Sequence, residues 1–215
     1  MSDAVLVFVR APQAGRVKTR LAAAIGEAAA LRVYVRLAEH AVAQARESGA
    51  ALRVHFTPAD AGEAVRAWLG AGAAYLPQAE GDLGERMRSA FEAAFAAGFR
   101  RVVVVGSDLP ELTAALLRRA LDLLDGHDAV LGPARDGGYW LLGLRRPVPE
   151  AFAGIAWSTA GVLDRTVARL RAEGIEPALL EPLGDVAEAA DLPPGWREWA
   201  AAADEAPADA SESPA

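Results

Sequence analysis

The sequence predicts an α/β protein, a three-layer α/β/α sandwich around a mixed, mostly parallel sheet. Three observations carry that reading. Short β-branched runs alternate with stretches whose apolar residues fall at helical spacing. The first run, AVLVFV, is apolar throughout, as a strand covered on both faces is, instead of alternating with polar residues. One pair of runs is joined by only four residues, enough for an antiparallel turn and too few for a parallel crossover.

The elements follow in order. AVLVFV (4–9) is the first strand, and an Ala-rich stretch over about 26–48 is a helix that stops at Gly49. ALRVHF (51–56) is followed by a helix over about 60–70, and AAYLP (73–77) by one over 83–97. RVVVVG (101–106) leads into a helix over 113–124. AVLGPA (129–134) and YWLLGL (139–144) flank the link RDGG. A helix over about 159–173 and a strand at 176–181 complete the series.

The chain has 215 residues, of which 53% are hydrophobic, and it is expected to form a single domain over 1–200. Of the formal charge of −7, −4 falls on AAADEAPADASESPA (201–215), leaving −3 on the rest. That tail is acidic and rich in small residues and proline, so it is expected to be disordered. A pI near 5.1 argues against nucleic acid as a partner, since such binders displace counterions with a basic surface. Without cysteine there are no disulfides or thiolate metal sites. No run is long and apolar enough to suggest a membrane span, and the expectation is a cytoplasmic protein with no membrane partner.

In open α/β sheets ligands bind beyond the carboxyl ends of the strands, which directs attention to four loops. The first, RAPQAGRVKTRL, gathers Arg10, Arg16, Lys18 and Arg20 around turn-forming Pro12 and Gly15. It lacks the glycine-lysine step of a P-loop and the spacing of a dinucleotide fingerprint. It reads either as a di- or triphosphate site or as solvated surface charge. The second, QAEGDLGERM, offers Gly81 and Gly84 for close backbone approach, with Asp82 either near a ligand or capping the next helix. The third, GSDLP, places Asp108 at the end of a central strand, where it suits Mg²⁺ or Mn²⁺ or simply a turn. The fourth, PARDGGYWLLGL, sets Asp136, Gly137 and Gly138 before Tyr139 and Trp140, a hairpin turn or a site that stacks on a sugar-like ligand. One of the two aromatics must face the core. His40, His55 and His127 lack metal-ligand spacing.

Taken in order, R-A-P-x-x-G-x-V-K-T-R-L, G-D-L-G-E-R-M, G-S-D-L-P, D-G-G-Y-W-L-L-G-L and I-A-W-S-T resemble a bacterial family of glycosyltransferases with the GT-A, or nucleotide-diphospho-sugar transferase, fold. That family includes arsenosugar biosynthesis-associated members, and the resemblance spans about 4–192. It implies nucleotide and phosphate binding by Arg10, Gly15, Lys18 and Arg20 together with Gly81, Asp82 and Gly84. It implies a metal on Asp108, and an acceptor side formed by Asp136, Gly137, Gly138, Tyr139, Trp157 and Ser158. Asp136 and Lys18 are the candidate catalytic residues. Relatives often continue as D-V-D-T-x-E-D-L, whereas this chain has Ala187 at the second acid. Asp185, two residues earlier and on the same face of an extended segment, is the candidate substitute metal ligand.

The expected activity is metal-assisted transfer of a sugar from a nucleotide diphosphate sugar to a small acceptor, with Mg²⁺ or Mn²⁺ as cofactor. Missing one acid, the chain leans towards sugar transfer over its first alternative, nucleotidyl transfer from an NTP to a phosphorylated small molecule with release of pyrophosphate. The second alternative is an inactive nucleotide-binding protein. Donor, acceptor and oligomeric state are not legible.

Overall fold

The structure, a computed structural model, describes residues 2–202. In chain order the strands and helices are β1 (Asp3–Arg10), α1 (Thr19–Ile25), α2 (Glu27–Glu47), β2 (Ala51–Thr57), α3 (Gly62–Leu69), β3 (Ala74–Pro77), α4 (Leu83–Ala96) and β4 (Arg101–Val105). They continue as α5 (Ala114–Leu123), β5 (Ala129–Pro133), β6 (Tyr139–Leu144), α6 (Val162–Ala172), β7 (Ala178–Leu179) and α7 (Trp196–Ala202). The described residues divide into two compact units, 2–11 with 37–185 and 12–36 with 186–202.

The first unit holds one seven-stranded sheet in the order β3-β2-β1-β4-β6-β5-β7. β1 runs parallel to β2 and β4, β2 to β3, and β5 to β7; only β6 is reversed, antiparallel to β4 and β5. The sheet is therefore mixed and mostly parallel, and the short link before β6 is what reverses it.

Successive side chains leave a strand on opposite faces, and here both faces are covered. Val5, Val7, Val103 and Val105 pack with Ala41 and Val42 of α2 and Leu117 and Leu121 of α5. Ala4, Leu6, Val102 and Val104 pack on the other side with Met87 and Phe91 of α4 and Leu170 of α6. Each large aliphatic side chain so buried contributes about 1.5–3 kcal/mol. This double coverage is why β1 and β4 read as almost unbroken apolar runs.

His55 is an exception within that core. It sits in β2, 3% exposed, and its ring stacks on Phe8 at 5.5 Å. Burial first, and the nearby Arg53 charge second, lower its pKa from 6.5 to about 4, so the imidazole is neutral inside the fold at neutral pH.

Several boundaries differ from the sequence expectation. The helix expected from 159 starts at Val162, because Ser158 takes a left-handed conformation (φ 61°) and Thr159 Oγ1 donates to the Ala156 carbonyl. The strand expected over 176–181 shrinks to Ala178–Leu179. The chain nonetheless keeps company with β5 through Leu180 N–H to the Leu131 carbonyl and Leu183 N–H to the Pro133 carbonyl. α1 was read as loop; it begins after Lys18, itself left-handed at φ 50°, and ends at Gly26 at φ 85°. Ala201 and Ala202, assigned to the disordered tail, belong to α7, while the expectation for 203–215 lies outside the described residues.

The second unit ties the basic loop and α1 to the C-terminal segment. Lys18 Nζ donates to the Val186 carbonyl at 2.5 Å, and Arg20 pairs with Glu188 at 3.3 Å. Arg32 donates to the Ala200 carbonyl, and the Arg36 guanidinium lies 4.3 Å from the Trp196 ring centre and 4.5 Å from that of Trp199. Among the described residues no helix is long and apolar enough to cross a membrane.

Candidate functional site

At the edge of the sheet where the parallel strands end, β4 runs into Gly106, Ser107 and Asp108, and β5 into Ala134 and Asp136. A pocket of about 400 Å³ opens there. Its polar lining includes Asp108, Asp136, Ser158, Thr159 and Asp185, and its walls include Leu83, Leu109, Gly138, Tyr139, Trp140, Trp157 and Val162. A concave site with an apolar wall and a few convergent polar groups is what a small-molecule ligand needs.

Asp185 reaches this edge because the segment after β7 follows β5 outward. Ala134 bridges Leu183 in parallel, and Arg135 N–H donates to the Leu183 carbonyl at 3.1 Å. Two residues on, Asp185 lines the same pocket as Asp108.

Asp136 sits in the turn between β5 and β6. Its Oδ1 accepts the Gly138 N–H at 2.9 Å, while Gly138 O accepts the Ala134 N–H at 2.9 Å. Gly137 is at φ 89°, and a Cβ there would lie 2.2 Å from the Ala160 carbonyl oxygen, so only glycine fits. The hairpin turn holds the carboxylate, and Asp136 lines the pocket.

Tyr139 and Trp140 point to opposite faces of the sheet. Trp140 is buried, donating Nε1–H to the Glu181 carbonyl at 3.1 Å, and it lies so close over Gly132 that a Cβ there would fall 2.3 Å from its ring. Tyr139 meets Trp157 edge to face with ring centres 6.4 Å apart, and its hydroxyl points at the Met87 sulfur at 3.8 Å. Burial pushes the Tyr139 phenol well above its ordinary value, so it acts as a neutral wall.

The second loop turns inward on itself. Asp82 Oδ1 accepts the Glu85 N–H and Glu85 Oε2 accepts the Asp82 N–H, both at 2.9 Å, a capping box that starts α4. Gly81, at φ 103°, leaves no room for a side chain beside Glu85. Gly84 was expected to let a ligand approach the backbone; instead the Trp157 indole fills that space, and a Cβ would fall 2.4 Å from it. Of this loop only Leu83, which the sequence did not single out, lines the pocket.

Arg10 closes β1 in the first unit. Gly15 (φ 71°), Lys18 and Arg20 belong to the second, where Gly15 lies against the Glu27 carboxylate. Thr159, the last residue of the W-S-T motif, and Val162, three residues beyond it, also line the pocket, though the sequence reading gave neither a role.

The donor chemistry suits a hard divalent cation, since the charged groups lining the pocket are carboxylates, which offer oxygen ligands. Among the described residues no group of three or more His, Cys, Asp or Glu side chains could hold a metal. A cation held by two such carboxylates would take its remaining ligands from substrate oxygens.

Residues 38–159 match a family described as "Uncharacterized protein conserved in bacteria (DUF2064)". A crystal structure from Desulfovibrio desulfuricans G20, provisionally assigned as a nucleotide-diphospho-sugar transferase, is 38% identical with a TM-score of 0.84, covering 87% of this chain and 84% of that one. The phosphoenolpyruvate guanylyltransferase of Chloroflexus aggregans (strain MD-66 / DSM 9485) is 31% identical over 140 residues, 63% of this chain and 69% of that protein. Rv0371c from Mycobacterium tuberculosis H37Rv, solved with manganese, is 20% identical with a TM-score of 0.55 over 89% of this chain and 96% of that one, a likeness of fold alone. The sheet, its order and these matches establish a nucleotide-diphospho-sugar transferase-like fold, and the chain belongs to the DUF2064 family of bacterial proteins.

Proposed function

We propose that the protein is a metal-assisted nucleotidyltransferase, joining a nucleoside triphosphate to a small acceptor with release of pyrophosphate. The observation that carries this is the presence of Asp108 and Asp185 on one pocket. Ala187 had tilted the sequence reading towards sugar transfer by removing a second acid; Asp185 supplies a carboxylate in its place. The similarity to a guanylyltransferase at 31% identity supports the same choice.

In this reading Asp108 and Asp185 hold the divalent cation. Bound there, Mg²⁺ or Mn²⁺ supplies charge neutralisation for the phosphates. The acceptor oxygen attacks the α-phosphorus, the bond from that phosphorus to the bridging oxygen breaks, and pyrophosphate leaves. Asp136 orients the acceptor or takes its proton, and Tyr139, Trp157 and Ser158 form the acceptor wall. Arg10, which ends β1 in the same unit as the pocket, keeps the phosphate-binding role that the resemblance implies.

Sugar transfer stands as the second reading because the relative at 38% identity carries that assignment. The leaving product separates them. Full-length protein with Mn²⁺, an acceptor panel, and either NTPs or nucleotide sugars is expected to form pyrophosphate in step with a nucleotidylated product. Nucleoside diphosphate released from a nucleotide sugar overturns this in favour of sugar transfer. Nucleotide binding without turnover on any donor points to an inactive binding protein.

A further inference from the structure

At the end of β4 away from Asp108, where the parallel strands β1 and β4 begin, a second pocket of about 680 Å³ is lined by Arg100, Arg101, Leu124, Asp125 and Arg145. It shares no lining residue with the pocket beyond β4 and β5. The sheet itself gathers the arginines. Arg100 precedes β4 and its N–H donates to the Ser2 carbonyl at 3.0 Å, while Arg101 is the first residue of the strand. β6 runs antiparallel to β4 with Leu144 opposite Val102, so Arg145, the next residue, comes out at the same end as Arg101.

Like charges brought together on neighbouring strands repel, and here the compensation is incomplete. Arg101, its side chain 11% exposed, is held by Asp3 at 2.8 Å and Asp125 at 2.9 Å. Arg145 is held by Asp128 at 2.8 Å. Arg118 and Arg146 share those partners, 3.6 Å from Asp3 and 3.4 Å from Asp128 respectively. Among the described residues the exposed Arg100 guanidinium has no hydrogen-bond or ion-pair partner. Five arginines thus meet three aspartates here, on a chain whose formal charge is −7.

We propose that this pocket is a second ligand site, separate from the candidate active site, and that it takes a phosphorylated small molecule. Arg100 supplies the charge that no aspartate offsets. Arg101 and Arg145 are already ordered by their carboxylates, so they lose little side-chain freedom when an anion arrives. Each guanidinium carries five N–H donors in a planar fork, and the donors left over from the aspartates match phosphate oxygens. The Asp125 carboxylate, which also lines the pocket, is neutralised by Arg101. Leu124 adds an apolar surface, and the volume is that of a site for a small organic molecule, larger than a lone phosphate fills. This site stands whether or not the protein transfers nucleotides.

The test titrates the full chain calorimetrically in EDTA, which removes any metal-dependent binding beyond β4 and β5. The probes are glycerol 3-phosphate and glucose 6-phosphate, with glycerol, glucose and succinate as controls. At least one phosphate ester is expected to bind at a single site, and more tightly than its parent alcohol and succinate. Arg100→Ala is expected to weaken it about tenfold or more, with the melting temperature of the free protein unchanged. Arg88→Ala, which removes an exposed positive charge from α4, is expected to stay within about twofold of the parent. Binding by neither phosphate ester overturns the proposal, as does equal binding of the parent alcohols or of succinate. Affinity unchanged in Arg100→Ala places the ligand elsewhere and also overturns it, and equal losses in Arg100→Ala and Arg88→Ala reduce it to non-specific attraction.

Discussion

Asp108→Asn is expected to lower metal-dependent turnover by on the order of 10³-fold while leaving the melting temperature nearly unchanged. Asp108 follows β4, the strand between β1 and β6, and its backbone is held by buried neighbours Ser107 and Leu109. The loop beyond is pinned where Leu112 N–H meets the Leu109 carbonyl and Thr113 Oγ1 accepts the Leu116 N–H to cap α5. Asparagine keeps the shape of the side chain and removes its charge, so folding changes by no more than about 1 kcal/mol while a hard cation loses an anionic ligand. Pyrophosphate release and a thermal melt, measured on the same preparation, separate the two effects. Turnover within tenfold of the parent would remove Asp108 from the chemistry.

The second large effect is on stability against pH. Folded His55 has a pKa near 4, against 6.5 when unfolded. Between those values the unfolded chain takes up a proton that the folded chain refuses, so stability is fully present above pH 6.5 and falls as pH drops towards 4. The shift corresponds to a loss of about 3 kcal/mol across the window. His55→Phe keeps an aromatic ring against Phe8 and has nothing to protonate. Denaturant melts at pH 7 and pH 4.5 are expected to show the parent losing stability relative to this variant; equal losses in both would show that His55 titrates normally. The carboxylates common to both chains cancel in the comparison.

The strands were legible because both faces of the sheet are covered, which leaves unbroken apolar runs such as Val102–Val105. The reversal at β6 was legible because four residues cannot make a crossover. α1 and α7 were not, since neither carries more than one buried side chain, Leu21 and Ala200 respectively. In the site, Asp108 and Asp136 are marked by the turns that present them at strand ends. Gly84 was misread because the space above it is taken by Trp157, and no local pattern announces a contact between segments so distant in sequence. Asp185 was reached by face counting, but what brings it to the pocket is the run of Leu180 and Leu183 beside β5, which follows from the fold.

The central claim is that Asp108 and Asp185 together form the cation site of a nucleotide-using enzyme. Titration of Mn²⁺ against the NTP-loaded protein, with free Mn²⁺ followed by electron paramagnetic resonance, tests it most directly. The account predicts that Asp185→Asn weakens Mn²⁺ binding by about tenfold or more, comparable to Asp108→Asn. Unchanged Mn²⁺ affinity in Asp185→Asn, with Asp108→Asn impaired, would contradict it and leave Asp108 as a lone ligand.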